Sequence, residues 1–145
     1  MNKKTMKQMA KMVDAIQPNC DEEIVAAMTC SHAGSMSSVL VSKLIGGIGV
    51  GTKLSDLPNP VFIAVGSKTI YAFDYAPKGF KFKIKREAAR WAKDEITVAS
   101  ELSRGMATFV LTTKSGENYP LEVPTMMGGK ELVEVFLDAL GGSQV

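Results

Sequence analysis

The stretch Val61–Tyr75, VFIAVGSKTIYAFDY, decides the fold of this chain. Its two apolar runs are rich in β-branched and aromatic residues, which is typical of strands. Between them, Gly66-Ser67 suits a two-residue type II′ turn, because this turn needs a positive φ at its first central residue. The stretch therefore predicts a β-hairpin, and since both of its faces are apolar, we expect both to be buried.

Four more strand-like segments follow this hairpin and one precedes it, which predicts seven strands. Phe80, Phe82 and Ile84 alternate with lysines, so one face of their strand should meet the core and the other water. Residues 86–91 either continue that strand or form a bulge. Pro120 cannot donate a backbone hydrogen bond, which predicts an edge position for the last strand. The other strand predictions cover residues 23–31, 96–102, 106–113 and 118–123.

Two helices are predicted at the ends of the chain, and a third in an apolar insertion. Gly129–Leu140 carries an apolar stripe opposite a charged face and ends at two glycines. Lys3–Ile16 is a basic amphipathic helix that Pro18 terminates. The glycine-rich segment at 35–50 predicts a short apolar helix. The fold class is thus mainly β with a C-terminal helix (α+β), plus an N-terminal helix and a helical insertion.

The apolar sides of the first and third helices are the candidate partner-binding surfaces. The methionine-rich face at 6–16 either packs on its own domain, makes an adaptable contact with a partner protein, or anchors weakly on anionic lipid. If such faces are not covered internally, they are patches that mark interfaces. The candidate residues are Met6, Met9, Met12, Val13, Ile16, Leu40, Leu44 and Ile45.

Length and composition fit a single globular domain with an extension. The chain has 145 residues, 46% of them hydrophobic and 22% charged, and a net charge of +2 that does not by itself imply a polyanionic partner. No signal peptide and no transmembrane segment are predicted, so we expect a cytoplasmic protein. The predicted divisions are a helical extension at 1–19, a domain at 20–142 with its insertion at 33–60, and a tail at 143–145.

The residues that could carry chemistry are few. His32 is the only histidine, and no local motif joins it to a nucleophile or a carboxylate. Cys20 and Cys30 form no CxxC pair and are expected to be reduced thiols. Glu22 and Glu23 are adjacent, so in a strand they point to opposite faces. We therefore predict no catalytic residues, no metal and no cofactor, and a protein that is not an enzyme.

The segment 78–93 has the most uneven charge of the chain: it contains seven basic residues and one acidic residue, Glu87. One interpretation is a solvated strand face whose lysines discourage edge-to-edge aggregation. The other is an anion-binding strip, for which an anionic membrane offers about 1 kcal/mol per basic residue. Single-stranded nucleic acid needs exposed aromatic rings for stacking, but the alternation turns Phe80 and Phe82 away from the lysines. The candidate anion-binding residues are Lys81, Lys83, Lys85, Arg86, Arg90 and Lys93.

Four segments of the chain resemble motifs of the bacterial pleckstrin-homology-like (PH-like) domains of unknown function. They are Ala64–Asp74 around the first turn, Ala89–Ile96 with its Ala-Arg-Trp, Val110–Gly116, and Tyr119–Val123. The resemblance covers about residues 24–140 and departs from the family pattern at Gly66-Ser67 and Ala92. It implies a seven-stranded antiparallel, partly open barrel or orthogonal sandwich that the helix at 129–140 caps.

This fold hosts many functions, so the resemblance names none. Together with the residues above, it favours a non-enzymatic binding or scaffold module that engages protein partners or assembles with itself. Recruitment to an anionic membrane surface through the strip at 78–93 is the alternative, and nucleic-acid binding is a remote one.

Overall fold

The structure is a computed structural model that describes residues 3–32, 57–79, 81–103, 105–125, 129–141 and 143–144. The predicted helix at 35–50, most of the insertion at 33–60, and Phe80 lie outside these ranges. The helices are α1 (Lys3–Ile16) and α2 (Gly129–Leu140). The strands are β1 (Ile24–His32), β2 (Val61–Gly66), β3 (Thr69–Lys78), β4 (Lys81–Ala92), β5 (Ile96–Ser103), β6 (Met106–Thr113), β7 (Asn118–Pro124) and β8 (Ser143–Gln144).

The strands form one sheet in the order β4-β3-β2-β1-β7-β6-β5-β8. The pairings among the first seven strands of this order are antiparallel, and the short β8 pairs parallel to β5. In the part of the chain that the structure describes, no ladder joins β4 to β5 or to β8, so the sheet is not closed. The mainly β prediction, with seven antiparallel strands and a helix at each end, is confirmed.

The turn between β2 and β3 differs from the predicted one. β2 runs through Gly66, and Val65 pairs with Ile70, so the loop residues are Ser67-Lys68. The glycines with a positive φ lie elsewhere in the described chain, so a type II′ turn at Gly66-Ser67 is the wrong prediction. Gly66 is required for space instead, because a Cβ at this position would lie 2.7 Å from Cδ of Glu22.

The position of β7 also differs from the prediction. β7 pairs with β6 along its length and with β1 through Leu121 and Glu122, so it is not an edge strand. Pro120 lies opposite Val110 of β6, just beyond the two-residue contact with β1. No described residue of β1 lies opposite Pro120, so its missing N–H interrupts no described pair of the β1–β7 ladder.

The core lies on both sides of the sheet, and every residue of β2 is buried. Phe136 of α2 packs edge-on against Phe109 of β6, with ring centroids 5.8 Å apart. Trp91 of β4 and Tyr119 of β7 approach to 5.3 Å, although three strands separate β4 from β7. The sheet therefore curls toward itself without closing.

Helix α1 is an integral part of this core. Met9, Met12 and Ile16 are buried, and the backbone N–H of Ala27 in β1 donates to Sδ of Met9 at 3.3 Å. The helix packs against β1 and α2. Of the apolar face at 6–16 that the helical period predicts, Met9, Met12 and Ile16 are thus covered by the chain's own core, whereas Met6 is exposed.

Candidate functional site

The edge strand β4 presents a basic surface in the described chain. It is the terminal strand of the sheet, and its first half alternates exposed lysines with the half-buried Phe82 and Ile84, as predicted. We call its exposed cations the basic edge, and within the described ranges none of them forms an ion pair. The basic edge consists of Lys81, Lys83, Lys85 and Arg86.

The other two candidate anion-binding residues lie apart from the basic edge. Arg90 is nine residues from Lys81, which along a strand is about 30 Å. Its guanidinium donates to both carboxylate oxygens of Glu87 (3.1 and 2.7 Å) and to Oδ2 of Asp21 (3.1 Å), which together raise its pKa. Lys93 lies beyond the end of β4, where its N–H donates to the carbonyl of Lys68 at 2.8 Å. The six predicted residues therefore do not form one site.

Around Arg90 the structure places a second polar group, which we call the hairpin cluster: Asp21, Glu22, Tyr71, Glu87 and Arg90. The hydroxyl of Tyr71 donates to Oδ1 of Asp21 at 2.5 Å, and Arg90 lies 4.9 Å above the Tyr71 ring. The hydrogen bonds from Tyr71 and Arg90 lower the pKa of Asp21. Burial, together with the bond to Asp21, raises the pKa of Tyr71 to about 12.

Glu22 ties the segment before β1 to the tip of the β2–β3 hairpin. Its Oε1 accepts from the backbone N–H groups of Lys68 and Thr69 at 2.9 Å each, and its Oε2 accepts from the Thr69 hydroxyl at 3.2 Å. The bond from the Lys68 amide is the largest cause of its lowered pKa. The carboxylate reaches these donors because Gly66 leaves room for it.

These contacts assign the hairpin cluster a structural role. Each of its carboxylates accepts hydrogen bonds from within the chain, and together they hold the connection between α1 and β1 on the hairpin. Neither cysteine is an activated nucleophile: both are free thiols, and burial raises the pKa of Cys20 to about 11 and also raises that of Cys30. In His32, the ring Nε2 lies 3.1 Å from the carbonyl oxygen of Pro58.

A search of the described residues finds no group of three or more His, Cys, Asp or Glu side chains placed to hold a metal ion. The aromatic rings near β4 are engaged with one another. Phe82 packs edge-on against Phe62 at 5.2 Å and Tyr75 at 6.0 Å, while Trp91 contacts Tyr119. Among the described residues, each of these rings thus already contacts another aromatic ring.

Two depressions border β4. One, of about 400 Å³, lies at its C-terminal end and is lined by Ser67, Lys68, Ala92, Lys93 and Asp94. The other, of about 210 Å³, lies where α1, β4 and α2 meet and is lined by Gln8, Lys11, Met12, Phe82 and Leu132. We call the second one the Phe82 groove. It brings a mostly apolar surface next to the first half of β4.

The candidate partner-binding residues of α1 are split between surface and core. Met6 is 53% exposed, whereas Met9, Met12 and Ile16 are buried and Val13 packs partly buried against the core. Leu40, Leu44 and Ile45 lie outside the described residues. Only Met6 of the α1 set therefore offers a substantial apolar surface to a partner.

Sequence reasoning did not find the hairpin cluster. Asp21 and Arg90 are 69 residues apart, and Glu22 and Thr69 are 47 apart. No local motif joins residues at such separations, and each of them is of a type that is common on protein surfaces. The one residue that hinted at the cluster was Gly66. From the sequence alone, a glycine that leaves room for a neighbouring side chain cannot be distinguished from a glycine that adopts a positive φ.

Comparison with known proteins adds no identification: no protein-family model matches the chain, and no curated protein matches it significantly. In a search of the described residues, no helix was both long enough and apolar enough to cross a membrane.

Proposed function

We propose that this chain is a non-enzymatic binding module that engages partner proteins, and that the basic edge of β4 is its main binding surface. The observation that carries the proposal is the basic edge itself: four exposed cations on the terminal strand of a sheet, without an ion pair in the described chain. Surface cations of this kind raise the rate of association with acidic partners and select among them.

The same proposal includes the PH-like architecture. Seven antiparallel strands that curl without closing, followed by a C-terminal helix whose Phe136 enters the core, support an open PH-like barrel capped by α2. The structural role of the hairpin cluster and the raised pKa of Cys20 support a non-enzymatic module.

The test compares three forms of the full chain as bait in a pull-down from native lysate. They are the wild type, an edge variant (Lys81→Glu, Lys83→Glu and Lys85→Glu), and a control variant with the same charge change on α1 (Lys3→Glu, Lys4→Glu and Lys7→Glu). Partners should be captured by the wild type and the control but not by the edge variant. Equal capture by all three forms would refute the basic edge as the binding surface.

Self-assembly is tested in the same material by light scattering. Because Met9, Met12 and Ile16 are buried in the chain's own core, an assembly through α1 would have to use its outer side around Met6. If Met6→Lys lowers the molar mass in solution, the partner is a second copy of the chain. If the wild type and Met6→Lys are both monomers, assembly through this helix is excluded.

Recruitment to an anionic membrane is a second candidate, favoured by the exposure of the same four cations. It predicts that vesicles containing anionic lipid bind the wild type, that neutral vesicles do not, and that salt weakens the binding. Vesicle binding that survives in the edge variant would exclude the basic edge as the lipid contact.

A further inference from the structure

We propose that the first half of β4 accepts an extended segment of a partner protein as an additional strand, and that this segment alternates acidic with apolar residues. The inference rests on the proposed function and names the chemistry of the partner. It follows from the position of β4, the two faces of its first half, and the irregular register of its second half.

Within the described residues, the outer side of β4 is open for pairing. β4 pairs with β3 from Lys81, opposite Lys78, to Ala92, opposite Thr69. In the described chain it is the last strand of the sheet, so no strand covers its other side. An edge with unpaired N–H and C=O groups is a template on which an extended peptide can form main-chain hydrogen bonds.

The two faces of this half strand differ in chemistry. Lys81, Lys83 and Lys85 point to one face and are exposed, while Phe82 and Ile84 point to the other and are half-buried. Residues of an added strand lie about 4.5–5.5 Å from those opposite them, so acidic residues beside the lysines would form favourable cross-strand pairs. The intervening residues would lie beside Phe82 and the Phe82 groove, which favours apolar side chains.

The lysines argue against a second copy of β4 as the occupant. If two copies paired antiparallel about Lys83, Lys81 of one copy would lie opposite Lys85 of the other, and the two Lys83 residues would face each other. Like charges directly opposite are destabilising in a sheet. The charge of the edge is complementary to an acidic segment and repels itself.

The register of β4 limits the length of the site. Its pairing with β3 shifts between Ala72 and Phe73 and again between Phe73 and Tyr75, which are opposite the middle of β4. Such bulges twist an edge away from further pairing. Beyond them, Glu87 and Arg90 are joined in the hairpin cluster. The added strand is therefore confined to about four to six residues beside Lys81–Lys85.

The test measures binding of synthetic peptides to the full chain by fluorescence anisotropy. The probe has the pattern Glu-Val-Glu-Val-Glu-Val-Glu, and a second peptide carries the same residues in blocks, with all glutamates first. A third peptide keeps the alternating order but has alternate backbone nitrogens methylated, prepared in both possible registers. Methylation removes main-chain donors and leaves every charge in place, so it separates strand addition from simple charge attraction.

The alternating probe should bind the wild type and the α1 control variant equally, and bind the edge variant about tenfold or more weakly, since three attractive pairs become repulsive. The peptide with all glutamates first, and the peptide methylated in one of the two registers, should each bind the wild type more weakly than the alternating probe by a similar factor. Methylated peptides that bind as tightly as the probe in both registers would overturn strand addition. Equal binding to the edge variant would overturn the site itself.

The outcomes separate this inference from the proposed function. If the pull-down depends on the basic edge but methylation has no effect, the module binds acidic partners by charge alone and strand addition is wrong. If neither the pull-down nor the peptide depends on the basic edge, the proposed function fails as well. If anionic vesicles bind the wild type but not the edge variant, and the alternating probe binds neither, the edge is assigned to lipid and the peptide site is overturned.

Discussion

Replacing Gly66 by alanine tests whether this glycine is required for space rather than for its backbone angle. An added Cβ would lie 2.7 Å from Cδ and 2.8 Å from Cγ of Glu22, against an ordinary carbon–carbon contact of about 3.5–4.0 Å. Glu22 must therefore move by about 1 Å, and its two 2.9 Å bonds from the Lys68 and Thr69 amides lengthen past hydrogen-bonding distance. Gly66→Ala should destabilise the wild-type chain.

The same substitution should have the opposite sign once Glu22 is removed. A Glu22→Ala background removes the three atoms that lie nearest to the new Cβ, and the backbone of Gly66 is extended. Gly→Ala at a compatible position stabilises by about 0.4–1 kcal/mol, because alanine lowers the entropy of the unfolded chain. The coupling between the two positions should then fall in the range of about 0.5–3 kcal/mol that contacting residues show.

Urea unfolding of the four proteins of this cycle measures the coupling as shifts of the midpoint at constant slope. Gly116→Ala is the matched control: its φ is +93° and nothing lies within 4 Å of its position, so alanine there is destabilising in both backgrounds by about 1–2 kcal/mol. If Gly66→Ala destabilises equally with and without Glu22, the steric explanation is refuted and the backbone angle is the reason for glycine.

Three further predictions concern α1, pH and the thiols. Ile16→Ala should lower the free energy of unfolding by about 2–5 kcal/mol, whereas Met6→Ala should change it by less than about 0.5 kcal/mol, both by urea unfolding. The folded pKa of Glu22 lies below its ordinary value of 4.5. Its contribution to stability is therefore present above pH 4.5 and is lost as the pH falls through the folded pKa. Glu22→Gln should flatten this acid dependence of the unfolding midpoint. A thiol reagent at pH 8 should modify Cys20 more slowly than a free cysteine, and Cys30 more slowly still.

Local patterns accounted for most of the fold. Burial repeats every 2 residues along a strand and every 3.6 residues along a helix. The alternation at 81–85 and the apolar stripe of α2 follow these periods, so the buried faces could be predicted from the sequence. The prediction that Pro120 lies on an edge strand was wrong. The sequence shows that this residue lacks a backbone N–H, but it does not show how far the neighbouring strand extends. Within the described residues, β1 pairs with β7 through Ser31 and His32, a contact between distant parts of the chain that no local pattern encodes.

The functional surface was predicted only in part, since charge along the chain says nothing about which cations find an internal partner. Arg90 and Lys81 look alike in sequence. Arg90 is held by Asp21, a residue 69 positions away that reaches it because the segment between α1 and β1 crosses the hairpin. The division of the strip at 78–93 into an engaged part and an exposed part therefore depended on tertiary contacts.

That division makes β4 a strand with two roles. In its second half, the carboxylates of Asp21 and Glu87 neutralise Arg90, and the shifts in register twist the edge, so this half contributes to the fold. In its first half the cations form no ion pair with a described acidic residue, and the register with β3 is regular from Lys81 to Ile84, so their charge is available to a partner. Substitutions of the exposed cations Lys81, Lys83, Lys85 and Arg86 should then alter binding with little effect on the unfolding midpoint, and substitutions of Glu87 or Arg90 should do the reverse. If both kinds of substitution lowered the unfolding midpoint equally, the lysines would also contribute to the fold, and the division of β4 into two roles would be refuted.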